Sequence, residues 1–302
     1  MKTVVSVSLG SSSRDHESRI ELLGETVHLS RRGVDGRFKR AVELLQELDG
    51  AVDAIGLGGI DIYLKSRSQT FELRDGVRLR DTVQKTPVVD GSGLKNTLER
   101  ETVRHLQESG TVPLAGKKVL MVCAMDRFGM AEALDEVGAN TVYGDMIFNL
   151  NLDKPILTLD ELEERASKLL PEICKLPISM VYPTGKKQDL IEPTELTAPY
   201  FQEAEIIAGD FHIIRRRLPE RLEGKGVLTN TVTENDAEEL RKRGVAWLVT
   251  TTPELDGRSF GTNVLEAALL AHLGKTWDEV IPEDYLALIR EAGLLPRVVR
   301  FD

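Results

Sequence analysis

The stretch KKVLMVCAMDRFGMAEALDEVGANTVYGD, residues 117–145, constrains the fold more than any other part of the chain. The apolar run from Val119 to Ala124 is short enough for a buried parallel strand. Phe128, Ala131, Leu134 and Val137 then recur at helical spacing, and Gly138 supplies the stop. Val142 and Tyr143 begin a second strand. Asp145 falls about 20 residues after the turn, where a dinucleotide-binding unit carries its ribose-binding acid. The glycine code of such a unit is altered. With Gly129 at the third position of GxGxxG, Ala124 stands first and Asp126 second, where a glycine normally lets pyrophosphate approach the backbone. A carboxylate there repels phosphate, and Arg127 compensates only if its side chain turns inward.

Strands and helices alternate along the rest of the chain. Val4 to Leu9, two segments within Ile20 to Leu29 joined at Gly24, Asp53 to Leu57 and Pro87 to Val89 read as strands. Phe38, Val42, Leu45 and Leu48 mark a helix, and the polar, glycine-rich ESGTVPLAG around Ser109 to Gly116 marks a domain boundary. Ile178 to Tyr182, Ile206 to Ala208, Gly226 to Leu228 and Ala246 to Val249 read as further strands, and Thr158, Thr233 and Thr276 as helix caps. The segment from Gly261 to His272 is apolar nearly all round and is expected to be a buried helix. The pattern predicts two α/β domains, the second a Rossmann-like doubly wound parallel sheet. Residues 1–112 form the first, with 274–302 packing back on it, and 113–273 form the second.

Charge narrows the partners. A net charge of −10 over 302 residues argues against nucleic acid or anionic membrane. The longest apolar helical run, LEAALLAHL from Leu265, is too short to span a bilayer. No signal-peptide core follows Met1, and Cys123 and Cys174 read as buried reduced thiols, so a cytoplasmic protein is expected. HExxH and paired CxxC are missing from the sequence, so no metal centre is expected. The expected partner is a small molecule, with homo-oligomerisation left open.

Ligands of doubly wound sheets bind outside the carboxyl ends of the strands. The candidates to hold a dinucleotide there are Asp126, Arg127, Gly129, Asp145, Thr184, Asn230 and Thr250, with Lys186 and Lys187 within reach of a 2′-phosphate. In the first domain, VVDGSGLKN joins a strand to a helix through two glycines; Asp90 could pair with Lys95 and hold it for proton transfer. Asp61 closes the turn GLGGID, and His212, one of five histidines, is the rival acid–base group. Arg215, Arg258 and Asn263 are candidates to receive a substrate carboxylate.

The strings VSVSLGSS, DAIGLGGIDIYL, TPVVDGSGLKNTLER, KVLMVCAMDRFGMAEAL, IIAGDFHIIRR and LVTTTPELDGRSFGTNVLEA resemble a bacterial quinate 5-dehydrogenase-like family along nearly the whole chain. The resemblance implies oxidation of the quinate 5-hydroxyl to 3-dehydroquinate with NAD or NADP. It also implies a domain order similar to that of shikimate and quinate dehydrogenases. The catalytic motifs of those enzymes are not matched: Lys95 follows Asp-Gly-Ser-Gly-Leu, and neither Asn96-Thr97 nor Asn230-Thr231 is followed by Asp. The expected activity is hydride transfer between a nicotinamide and a small hydroxylated carboxylate such as quinate. The alternatives are a transferase or lyase acting on an anionic substrate in the same cleft, and a ligand sensor without catalysis.

Overall fold

In the computed structural model, which describes residues 1–182, 190–255 and 258–301, the alternation builds two main sheets, beside two small two-stranded ones. The first contains β1 (Lys2–Ser8), β2 (His16–Leu22), β3 (Glu25–Gly33), β4 (Ala54–Gly58) and β5 (Val88–Val89), in the order β2-β3-β1-β4-β5. All are parallel except β2, which returns against β3 through the positive-φ turn Leu23–Gly24. Val4 to Ser8 of β1 are all buried, as a strand covered on both faces must be. Val5 and Val7 point toward the helix Phe38–Leu48, and Val4 toward the helix Thr262–Leu273.

The second sheet contains β6 (Lys118–Met121), β7 (Asn140–Tyr143), β8 (Ile206–Gly209), β9 (Gly226–Thr229), β10 (Trp247–Thr250) and β11 (Arg297–Arg300). Its order is β11-β10-β9-β8-β6-β7, with only β11 antiparallel. The five parallel strands follow the doubly wound order 2-1-3-4-5, which reverses between β6 and β8. Val119 and Met121 face a core shared with the first sheet, whereas Leu120 and Val122 face an outer core. Thr158 and Thr233 cap their helices, Thr233 in a reciprocal capping box with Asp236, and at Thr276 the Glu279 carboxylate accepts from the threonine amide and hydroxyl.

Three expectations are corrected. The helix Thr262–Leu273, grouped by sequence with the second domain, packs on the first sheet. Gly56 of β4 makes this approach possible, since a Cβ there would lie 2.6 Å from the Asn263 carbonyl oxygen. The C-terminal segment does not all return to the first domain. The helix Pro282–Glu291 packs beside Ser92–Asn96, but β11 pairs with β10 and covers an otherwise open sheet edge. Ile178 to Tyr182 is not a strand: Ile178–Val181 is a short helix after Pro177, and both positions beside β6 are taken by β7 and β8. Among the described residues no helix is long and apolar enough to cross a membrane.

Candidate functional site

The carboxyl ends of both sheets open into one cleft of about 960 Å³. Ser6 and Ser8 of β1, Gly58 of β4, Asp61 and Lys95 form one wall; Asp126, Asp210 and Asn230, each just beyond a strand of the second sheet, form the other.

Lys95 is set into this cleft by the turn after β5. Gly91 takes φ 99°, a left-handed conformation that side chains other than glycine rarely adopt, and opens the helix Ser92–Asn96. Lys95 Nζ donates to Asp61 Oδ1 at 2.7 Å and to Asp126 Oδ1 at 2.6 Å, with the lysine side chain only 7% exposed. One ammonium thus joins a carboxylate of its own domain to one from the facing domain. Burial opposes the charge on Lys95, but Asp126 and Asp61 outweigh it and hold the ammonium well above its ordinary pKa. The two carboxyls part company. Burial and the neighbouring Asp126 push Asp61 well up; burial also disfavours a charged Asp126, but Lys95 and Arg127 hold it below the usual range. Asp126 carries the ion pair, and Asp61 is the partner that more readily keeps a proton.

Asp90 does not pair with Lys95. Its Oδ2 accepts from the amides of Ile62 and Tyr63, at 2.5 and 2.9 Å, and its Oδ1 from that of Ser92. It therefore fixes the loop that carries Asp61, a need of buried amides that sequence spacing does not reveal.

The dinucleotide candidates are mostly engaged elsewhere. Asp126 turns to Lys95 rather than to Arg127, whose Nε lies 3.8 Å away. Arg127 is buried, donating to Glu99 and, at 2.9 Å, to Asp210. Gly129 faces the backbone of the first domain: a Cβ would sit 2.8 Å from the Lys95 carbonyl oxygen. Asp145 directs both carboxylate oxygens to the amide of Ala124 at 3.0 Å, and Oδ1 also to Met125. Thr250 is buried and donates to the Thr252 carbonyl. Asn230 does line the cleft, donating from Nδ2 to Asp210 and accepting at Oδ1 from the Phe211 amide. Thr184, Lys186 and Lys187 lie outside the described residues.

His212 also lines the cleft, beside Arg14 of the first domain. Arg14 Nη1 lies 3.2 Å from His212 Nε2; since arginine only donates, Nε2 accepts and the neutral ring carries its proton on Nδ1. Burial lowers the pKa of His212 despite the nearby Asp210. Arg215 reaches the cleft wall and pairs with Asp236 at 3.4 Å; Asn263 donates to Ser6 Oγ at 2.7 Å. Arg258 pairs through its backbone with Leu255, and its side chain lies outside the description.

Sequence reasoning missed Arg14 and Glu99. Arg14 meets His212 across a separation of 198 residues, for which no local signal exists. Glu99 did leave a trace, because it shares the buried stripe of its helix with Thr102, Val103 and Leu106. Lys95 and Arg127 together face Asp61, Asp126, Glu99 and Asp210, so carboxylates outnumber cations. Such an excess retains protons: burial pushes Glu99 up to about 7 despite Arg127, and Asp145 up to about 6 despite the amides it accepts from. Among the described residues no group of three or more His, Cys, Asp or Glu side chains is arranged to hold a metal ion.

Fold and site define a two-domain α/β protein with a polar cleft between the carboxyl edges of its sheets. The chain belongs to the family described as Domain of unknown function (DUF8754), whose model matches residues 93–301. Residues 3–90 match a second such model, Domain of unknown function (DUF8753). No curated protein matches the sequence. Solved structures of similar outline include both dehydrogenases and sugar- or solute-binding proteins. A hetero-hexameric glutamate dehydrogenase from Thermus thermophilus shares 13% identity over 97% of this chain and 73% of its own, at a TM-score of 0.44. A solute-binding protein of an ABC transporter from Burkholderia multivorans shares 12% over 99% of both chains, at 0.39. L-tryptophan dehydrogenase from Nostoc punctiforme shares 10% over 96% of this chain and 80% of its own, at 0.36. Likeness at this level carries no argument about activity.

Proposed function

We propose that the protein is an enzyme performing acid–base chemistry at a hydroxyl or carbonyl group of a small anionic molecule held between its domains. The observation that carries this reading is the sharing of Lys95 between Asp61 and Asp126 at the cleft. A lysine held charged donates to an oxygen on which negative charge develops, and a carboxyl whose pKa is raised exchanges a proton with the same oxygen. A purely structural bridge would have no need to line a cleft of this size.

Hydride transfer to NAD or NADP, with a quinate-like hydroxy acid as substrate, is the second reading. The unit from β6 to β7 and the switch point between β6 and β8 favour it. Against it stands the turn itself, where Asp145 occupies the amides of Ala124 and Met125, and Asp126 brings negative charge to the pyrophosphate position. If a nicotinamide binds, Asn230 is the candidate that faces the cleft and would help hold it; the group would supply the hydride chemistry, leaving Lys95 and Asp61 to move the proton.

Thermal denaturation with NAD, NADP, quinate and 3-dehydroquinate, singly and in pairs, separates the two readings. Stabilisation by a hydroxy acid alone, lost in Asp126→Asn, supports acid–base chemistry without a dinucleotide. Stabilisation by NAD or NADP, with reduced nicotinamide formed on adding quinate, supports the dehydrogenase. No stabilisation by any hydroxy acid, and no change in Asp126→Asn, removes the first reading.

A further inference from the structure

The lining of the cleft changes character along its length, and both sheets change in the same direction. In the second sheet, residues after β9 and β8 contribute Asn230, Arg215 and His212, with Asp210 and Asp236 paired to Arg127 and Arg215 and Glu234 beside them. Those after β6 contribute Asp126; those after β7 include the apolar Met146 and Leu150 beside Asn149 and Asp145, whose carboxylate is turned to the amide of Ala124. In the first sheet, Arg31 on β3, Arg14 two residues before β2 and His16 at its start line one end, and Asp61 and Lys95 follow β4 and β5. Two contacts between the domains fix the alignment. Arg14 meets His212 at the basic end, and Lys95 meets Asp126 in the middle.

Beyond the acidic middle the wall is mostly hydrocarbon. Leu169 and Ile173 of the helix Leu159–Ile173, together with Leu176 and Met180, join Met146 and Leu150 there. Leu150, Leu176 and Met180 are 41%, 41% and 70% exposed, an unusual concentration of large apolar side chains beside a polar site. Asp61 adjoins this lobe through the backbone: Leu73 donates to the carbonyl of Ile62, next to Asp61, and Arg74 to that of Cys174 at the end of the same helix, both at 2.9 Å. The lobe is continuous with the acid–base group, and its walls are side chains of described residues.

We infer that the ligand of this cleft is an elongated amphiphile, with an anionic end at Arg14, Arg31 and Arg215, a hydroxyl or carbonyl at Asp61, Lys95 and Asp126, and an apolar arm along Met146, Leu169 and Leu176. The arginines are held in place by their own partners, Asp15 for Arg31 and Asp236 for Arg215, so the basic end is pre-oriented. The middle is the wrong place for an anion, because the one ammonium there is already shared between two carboxyl groups. Adjacent strands lie about 4.8 Å apart, so the three gaps from β7 to β9 give a path of roughly 14 Å. That is longer than a ring the size of quinate and suits a chain of several carbons. The inference rests on the acid–base reading of Lys95 and adds the substrate class to it.

Isothermal titration with straight-chain 3-hydroxy acids, from 3-hydroxybutanoate to 3-hydroxydodecanoate, tests it on the full chain. Affinity should rise by up to about fourfold for each added methylene until the lobe is filled. The rise should flatten in a Leu176→Asn, Met180→Gln double variant, whose positions are exposed enough to leave the core intact. Affinity for every member should fall at least tenfold in Asp126→Asn. Binding that is independent of length but lost in Asp126→Asn would overturn the amphiphile and keep the acid–base reading. Length-dependent binding that ignores Asp126→Asn would overturn the acid–base reading and keep the lobe. Failure of every acid to bind would overturn both.

Discussion

Both carboxylate oxygens of Asp145 lie 3.0 Å from the amide nitrogen of Ala124. The acid that the spacing assigns to a ribose is turned back into its own domain, onto the turn that a pyrophosphate would cross. Asp145→Ala should therefore act on folding first. It leaves the amides of Ala124 and Met125 without their acceptor, at about 1–3 kcal/mol for each buried group. Urea denaturation measures the loss; an unchanged midpoint would show that the turn does not depend on Asp145.

Gly129→Ala should also destabilise the protein, and at the boundary between the domains. The added Cβ would meet backbone, the Lys95 carbonyl oxygen at 2.8 Å and Asn96 Cα at 2.9 Å, and neither can rotate away. Overpacking of this kind costs about 1–3 kcal/mol. The melting temperature should fall, and a ligand that stabilises the native protein should stabilise the variant less, because Lys95 is displaced.

Stability should decline as pH rises from about 4.5 to about 8. Burial pushes Glu266 up to about 8 from its ordinary 4.5, while its Oε1 accepts from Tyr285 at 2.8 Å. A carboxyl whose folded pKa is raised favours folding fully below its unfolded pKa. That contribution is lost as pH climbs through the folded value, between about 4.5 and about 8 here. Asp145, raised to about 6, adds to the slope in its lower part. Chemical denaturation across this range should show the fall, and Glu266→Gln, which keeps an acceptor for Tyr285, should flatten its upper part.

Arg14→Ala should raise the pKa of His212. Arg14 is a cation beside a ring whose pKa burial already lowers, and removing that charge favours the imidazolium. Histidine titration followed by nuclear magnetic resonance reads the shift directly. An unchanged His212 would mean that Arg14 and His212 do not meet in solution.

The sequence by itself determined the elements and much of their order. Apolar runs bounded by turns announced β6 and β7, capping threonines announced three helices, and alternation announced parallel sheets, because each is a local consequence of spacing. It also singled out Asp61, Lys95, Asp126 and His212 as residues with chemistry to offer. Tertiary structure decided their partners. Lys95 chose Asp61 and Asp126 over the nearby Asp90, because Asp90 was needed by buried amides. Arg127 was drawn to Glu99 and Asp210, and Arg14 to His212, across separations that no periodicity encodes. Where a side chain points depends on which buried donors and charges must be satisfied once two sheets face each other, and that condition exists only in the folded chain.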